Sequence, residues 1–267
     1  MEISRQIPQT EILLSLPTGK KIYFLSDVHL GAPVLSNNRE RERRLVKWLE
    51  SIRPDCGELF LLGDIFDFWF EYKWAVPKGF TRFLSKIGEF TDQGIPVHFF
   101  TGNHDIWAFD YLPEECGVTL HTRNTIFNVA GTRFFIGHGD ALNPRDKGYL
   151  FLYRTFHNRF LQRCFRWVHP DIGIWIARKW SSHSRLENGR IEAEAFRGEE
   201  EEEIVRFCKE VLLHRHFDYF IFGHRHYPID LPLGNDSRYI NTGDWITYYS
   251  FAVFDGEKLE LKSLLPH

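Results

Sequence analysis

No two cysteines lie close together in this chain. The four, Cys56, Cys116, Cys164 and Cys208, form no C-x-x-C pair. That argues against a zinc knuckle and a disulfide framework, and predicts reduced thiols. No apolar run approaches the roughly 20 residues that span a bilayer. The start, MEISRQIPQTEILLSL, is broken by Glu, Arg and Pro and does not read as a signal peptide. Neither sign of charge dominates: 33 basic residues face 36 acidic ones, for a net charge of -3. No nucleic-acid partner is therefore expected from the overall charge. No internal repeat or low-complexity linker divides the 267 residues. The expectation is one α/β domain over residues 1–267, cytoplasmic, at most peripheral at the inner face of the cytoplasmic membrane.

Aromatics, by contrast, are abundant at 16%, with 25 Phe and 8 Trp. The first half alternates apolar strands with amphipathic helices. Strands are predicted at Lys21 to Asp27, Glu58 to Asp64 and Pro96 to Asn103. Helices are predicted at Asn37 to Ile52 and Lys78 to Thr91. That order predicts right-handed βαβ units and a mostly parallel sheet, with ligand sites beyond the carboxyl ends of its strands. The second half holds short strand candidates at 125–129, 132–137, 218–222, 238–241, 250–254 and 258–264, most of them expected as hairpin partners. The acidic run Glu199 to Glu203 opens a further helix and is expected to be a solvated helix start.

Polar clusters recur where the apolar strands stop: SDVH (Ser26 to His29), LGDIFD (Leu62 to Asp67), TGNHD (Thr101 to Asp105), GHGD (Gly137 to Asp140) and FGHRH (Phe222 to His226). Burying such groups is costly unless each is paired. The ligand-type residues among them are Asp27, His29, Asp64, Asn103, His138, His224 and His226. This mixture of oxygen and imidazole donors exceeds what one cation needs. It suits two divalent metal ions bridged by Asp64, with manganese favoured and iron or zinc as alternatives.

In this order the clusters resemble the calcineurin-like metallophosphoesterases, whose pattern is D-x-H, GD-x-x-D, GNHD, a later His and GHxH. The resemblance covers roughly residues 20 to 264. It implies a four-layer αββα metallophosphoesterase sandwich with a dimetal site at its top. One metal would take Asp27, His29, Asp64 and His226; the other would take Asp64, Asn103, His138 and His224. His104 would act as the catalytic residue facing the phosphoryl group, and Asp105 would orient it through a ring nitrogen.

Between GHGD and residue 190 lies a basic, aromatic stretch with Arg154, Arg159, Arg163, Arg166 and Lys179 among Phe151, Phe160, Trp167 and Trp175. It reads as two amphipathic helices broken near His169-Pro170, a helical cap insertion over 144–190. Such a face suits a membrane surface or an amphiphilic anionic substrate. With GDIFDFWF and GHGDALNPRDKGYLFLYR, the stretch is similar to the UDP-2,3-diacylglucosamine diphosphatases of lipid A synthesis. That resemblance implies a pyrophosphate hydrolase acting on an anionic nucleotide-sugar glycolipid, with Asp146, Ser184, Arg185 and Asn188 as substrate contacts. Two other readings stand beside it: a phosphodiesterase or nucleotide phosphatase of other specificity, and a non-catalytic scaffold on the same fold.

Overall fold

The computed structural model describes residues 6–33, 35, 37–143, 146–176, 179 and 196–265. After an edge strand β1 (Glu11–Leu14), the chain runs β2 (Lys21–Leu25), α1 (Asn38–Ile52), β3 (Cys56–Leu62), α2 (Thr81–Asp92) and β4 (Val97–Phe100). A short helix α3 (Tyr111–Cys116) leads to β5 (Thr119–His121). Strands β2 to β5 pair in parallel in sequence order, as the βαβ pattern predicts. Strands β11 (Ser250–Phe254) and β12 (Leu259–Ser263) extend this sheet antiparallel beyond β2.

The second sheet is ordered β1-β6-β7-β8-β10-β9. Its members are β6 (Thr125–Val129), β7 (Thr132–Ile136), β8 (Tyr219–Phe222), β9 (Pro228–Gly234) and β10 (Ser237–Thr242). Here β8 lies parallel to both β7 and β10, which corrects the hairpin expectation for that strand. Strand β9 carries two prolines, which break the alternation that marks a strand in sequence. It sits at the sheet edge, where a missing N–H leaves no gap in the ladder.

Period-two alternation assigns the layers. Ile22 and Phe24 of β2, Phe60 and Leu62 of β3, and Phe134 and Ile136 of β7 point into the core between the two sheets. Their neighbours Tyr23, Leu25, Leu59 and Leu61 face α1, α2 and α3 through Leu45, Trp48, Leu49, Phe83 and Phe90. On the far side, Phe135, Phe220 and Phe222 meet helix α7 (Glu203–Leu212) through Ile204, Val205, Phe207 and Val211. Each such side chain contributes about 1.5–3 kcal/mol on burial. The result is the expected α-β-β-α sandwich.

The cap differs in detail from expectation. Helix α4 (Lys147–Phe156) ends at His157, and α5 (Arg159–Phe165) begins beyond Asn158, whose side chain accepts the N–H groups of Phe160 and Leu161. A helical segment α6 includes residues 170–176. The described cap thus has an additional break at 157–158, and Pro170 opens a helix, a position where its missing N–H costs nothing. No residue of α4 or α5 is fully buried; Tyr149, Tyr153, Phe156 and Phe165 are half-buried. Among the described residues, no helix is long and apolar enough to cross a membrane.

One polar chain crosses the strands of the first sheet. Glu58 of β3 meets His98 Nε2 at 3.0 Å, and His98 Nδ1 meets His121 Nε2 at 3.0 Å. Burial and the neighbouring His98 push the His121 imidazole down to about 4 from its ordinary 6.5. The unfolded chain therefore binds this proton first. The contribution of His121 to stability is intact above about pH 6.5 and is lost as pH falls towards 4, by roughly 3 kcal/mol. Thermal unfolding of the metal-free protein at pH 7.5 and pH 5 should show about 2 kcal/mol of this loss, and His121→Gln should shrink it. An equal drop in both proteins would contradict the assignment.

Candidate metal centre

Strand register decides where the donors meet. Leu25 lies opposite Leu61, Leu62 opposite Phe100, Ile136 opposite Ile221, and Phe222 opposite Asn241. The carboxyl ends of β2, β3, β4, β7, β8 and β10 therefore finish at one level. The loops that follow carry Asp27 and His29, Asp64, Asn103, His138, His224 and His226, and all seven converge. Five of them, Asp27, His29, Asp64, His224 and His226, take positive φ angles between 48° and 69°. Non-glycine residues hold this left-handed conformation at about 1–3 kcal/mol each, a strain concentrated at functional sites. Gly102 is required here: a Cβ on it would lie 2.3 Å from Asp64 Oδ1.

Two groups of donor atoms share Asp64 Oδ2. In the first, His29 Nε2 lies 3.3 Å from His226 Nε2, 3.8 Å from Asp27 Oδ1 and 3.7 Å from Asp64 Oδ2, with His226 Nε2 3.3 Å from Asp27 Oδ1. In the second, His138 Nε2 lies 3.5 Å from Asp64 Oδ2 and 3.3 Å from Asn103 Oδ1, which is 3.2 Å from His224 Nδ1. Bonds of ~2.0–2.2 Å from nitrogen and oxygen to a divalent ion put adjacent donors roughly 3–3.6 Å apart. Most of these spacings fall on or beside that range.

The outer contacts leave these atoms free to coordinate. His138 Nδ1–H donates to Leu62 O at 2.8 Å, so Nε2 keeps its lone pair. His29 Nδ1 faces Asp67 Oδ1 at 3.4 Å and His226 Nδ1 faces Asp244 Oδ2 at 3.6 Å, which likewise turns both Nε2 lone pairs inward. The two Nε2 atoms lie within hydrogen-bond distance of each other, and a cation that displaced the proton between them would take both as donors. Asp27 Oδ2 accepts from Ser26 Oγ and from the His224 N–H, whereas buried Asp27 Oδ1 has no hydrogen-bond partner. The donor set therefore fits a pair of divalent cations.

Charge follows the same logic. Burial alone would raise the Asp27 carboxyl, but His226 and His29 bring it down to about 2. Asp64 is likewise held well below the ordinary carboxylate value: burial is outweighed by His138 and His104. His138 rises well above 6.5 because Asp64 overcomes its burial, while burial and His138 push His224 down to about 3. Buried carboxylates that keep their charge and imidazoles that compete for protons are ligands whose protons a metal displaces.

His104 borders both groups. Its N–H donates to Asp64 Oδ1 at 2.9 Å, and its ring stands edge-on to His29 with centroids 4.8 Å apart. Its Nδ1–H donates to the carbonyl of Asp67 at 2.8 Å. That corrects the expected role of Asp105, which does not orient the His104 ring. The Asp105 carboxylate instead accepts the N–H groups of Gly102 at 2.7 Å, Ile65 at 2.9 Å, Asp64 at 3.3 Å and Phe66 at 3.4 Å. It ties the β3 and β4 loops together.

Asp146 caps α4, accepting the Tyr149 N–H at 2.9 Å. Ser184, Arg185 and Asn188 lie outside the described residues. Three supporting residues have roles not read from sequence, although Asp67 closes the GD-x-x-D pattern and Glu202 lies in the acidic run. Asp67 and Asp244 face the His29 and His226 imidazoles, and Glu202 grips Arg225, which stands between His224 and His226. The Arg225 fork donates to both Glu202 oxygens at 2.7 and 2.8 Å, and Glu202 is only 3% exposed. The acidic run is thus not wholly a solvated helix start. The G-H-R-H spacing alone points to an arginine beside the ligands but does not identify its acid.

Asp105→Asn places an amide donor among N–H groups. It is expected to cost about 2–3 kcal/mol in urea unfolding of the metal-free protein. An unchanged midpoint would rule out the tethering role.

Residues 20–228 match the calcineurin-like phosphoesterase family. The chain is 40% identical over 256 residues to a UDP-2,3-diacylglucosamine hydrolase of Porphyromonas gingivalis, covering 91% of this chain and 97% of that one. A hydrolase of the same name from Proteus mirabilis is 26% identical over 243 residues, covering 89% of this chain and 96% of the other. Among solved structures, a dimetal phosphatase from Danio rerio matches with a TM-score of 0.44 and 15% identity, over 92% of this chain and 96% of that chain. The family match spans most of the sandwich and all five donor-bearing loops, and this chain belongs to the calcineurin-like phosphoesterases, a family of metal-dependent hydrolases.

Proposed function

We propose that the protein hydrolyses the pyrophosphate of UDP-2,3-diacylglucosamine, giving UMP and the acylated glucosamine 1-phosphate of lipid A synthesis. The observation that carries this reading is the 40% identity, across nearly the full length of both chains, to a hydrolase named for that substrate. The exposed basic and aromatic cap supports it, because an anionic headgroup with acyl chains needs both kinds of surface. One cation would be held by Asp27, His29, Asp64 and His226, the other by Asp64, Asn103, His138 and His224, with Mn²⁺ as the proposed ion. Such ions, when bound, neutralise phosphoryl charge and lower the pKa of water.

The chain's own residues do the rest. Asp64 accepts the His104 N–H and so fixes that ring beside both donor groups. A water oxygen bonds to the phosphorus next to uridine, and the bridging P–O bond breaks. The bridging oxygen leaves with the sugar phosphate, stabilised by His104 or protonated through its Nε2. Residues 1–267 form one domain in this reading, with 144–190 as a cap inserted in it. Phe151, Phe160, Trp167 and Trp175 are 60–91% exposed and stand among Arg154, Arg159, Arg163 and Arg166. That face would touch the cytoplasmic membrane peripherally, and Asp146 with Ser184, Arg185 and Asn188 would contact the substrate headgroup.

Release of UMP from UDP-2,3-diacylglucosamine by purified protein with Mn²⁺ tests the assignment. Turnover of small chromogenic diesters or free nucleotides in preference to the acylated substrate would transfer it to another phosphoesterase activity. His104→Ala should lower kcat by about 10²–10⁴-fold while Mn²⁺ binding by calorimetry is retained. Unchanged turnover would remove the acid role.

A further inference from the structure

Trp107 stands three residues beyond His104, in the loop from β4 to α3. Its indole N–H donates to the backbone carbonyl of Phe156 at 2.8 Å. Phe156 is the last residue of α4, and the same carbonyl accepts Gln162 Nε2 of α5 at 2.8 Å. One oxygen at the α4–α5 elbow is therefore shared between the cap and the sandwich. The indole ring also packs against Phe156, Phe165 and Phe70, with centroids 5.5, 5.1 and 5.1 Å away.

On the sandwich side Trp107 belongs to a short ladder. Phe70 and Trp107 form a parallel bridge, Trp69 N–H donates to His104 O at 3.3 Å, and Glu71 N–H donates to Trp107 O at 3.3 Å. Buried Glu71 locks this ladder, accepting Trp69 Nε1 at 2.9 Å and the N–H groups of Phe109, Asp110 and Tyr111 at 2.8, 2.8 and 3.1 Å. The His104 ring rests on the same ladder through Asp67 O. One end thus carries His104 and the other carries the elbow of the cap. Near the elbow the cap also leans on the sandwich through Phe165 against Phe70 and Tyr72, with centroids 4.8 and 6.5 Å away, and through Arg166 over the Phe109 ring at 5.1 Å; to these stacked contacts the Trp107 N–H adds a direction.

We propose that Trp107 is a positioning residue for substrate: it pins the α4–α5 elbow at a fixed offset from His104. The apolar tail of an amphiphilic phosphoester is then held while its phosphoryl group lies at the donor cluster. The proposal rests on the lipid-substrate reading above for its consequence in turnover, but the pin itself is testable without any substrate.

Trp107→Phe keeps a ring and removes the N–H. Hydrogen exchange of the full-length Mn²⁺-loaded protein should quicken over residues 147–165 by about 2–12-fold, the span of one neutral hydrogen bond, with β3 and β4 unchanged. KM for UDP-2,3-diacylglucosamine should rise by a similar factor while kcat stays within about twofold. Trp107→Ala should enlarge both effects. Unaltered exchange over the elbow in both variants would overturn the proposal, as would a fall in kcat at constant KM. If the wild-type protein leaves the acylated substrate intact, the substrate assignment fails, and exchange still decides whether Trp107 holds the elbow.

Discussion

Asp64 presents one oxygen to two sets of donors, and the surrounding backbone is arranged to keep it there. Its Oδ1 is engaged by the His104 N–H, so Oδ2 alone faces His29 on one side and His138 on the other. Gly102 makes room for the carboxylate, and Asp105 ties the backbone beneath it to the neighbouring loop. Left-handed backbone at five donor residues is the cost of aiming side chains from strand ends towards a common point. The sandwich cores on either side hold that backbone in place.

Much of this was legible in the sequence. Apolar runs ending in SD, GD, GN, GH and GH identify strand ends, and the βαβ order puts three of them on one edge of a sheet. The seven donors do meet, in two groups that share Asp64. Other features are carried by partners remote in sequence. Asp67 and Asp244 matter because of where folding puts their carboxylates relative to His29 and His226. Asp105 follows His104 directly and invited a paired role, yet a side chain one residue along a tight turn points elsewhere, here into a nest of four amide N–H groups. Proline hid β9, and the elbow at Asn158 went unread because the flanking apolar spacing continues through it.

The cap inverts the usual rule for an amphipathic helix. Phe151, Leu152, Phe160 and Leu161 face outward, while Tyr149 and Tyr153 turn towards Asp140. Burial, with the Asp140 charge beside them, pushes both phenols up, with Tyr153 reaching about 12. The polar side of α4 thus faces the sandwich near Asp140, and Phe151, Leu152, Phe160 and Leu161 are exposed.

Asp27 grows from one sheet, yet its Oδ2 is held by the backbone of His224, which follows a strand of the other. The site therefore sits astride the seam of the sandwich rather than on either half. Parting the two sheets would separate His226 from Asp27 and His29, and His138 and His224 from Asp64 and Asn103, so each donor group is complete only when both halves are in place. Local fraying and loss of metal are linked in this architecture, and an intermediate with one sheet formed would be a catalytically silent one.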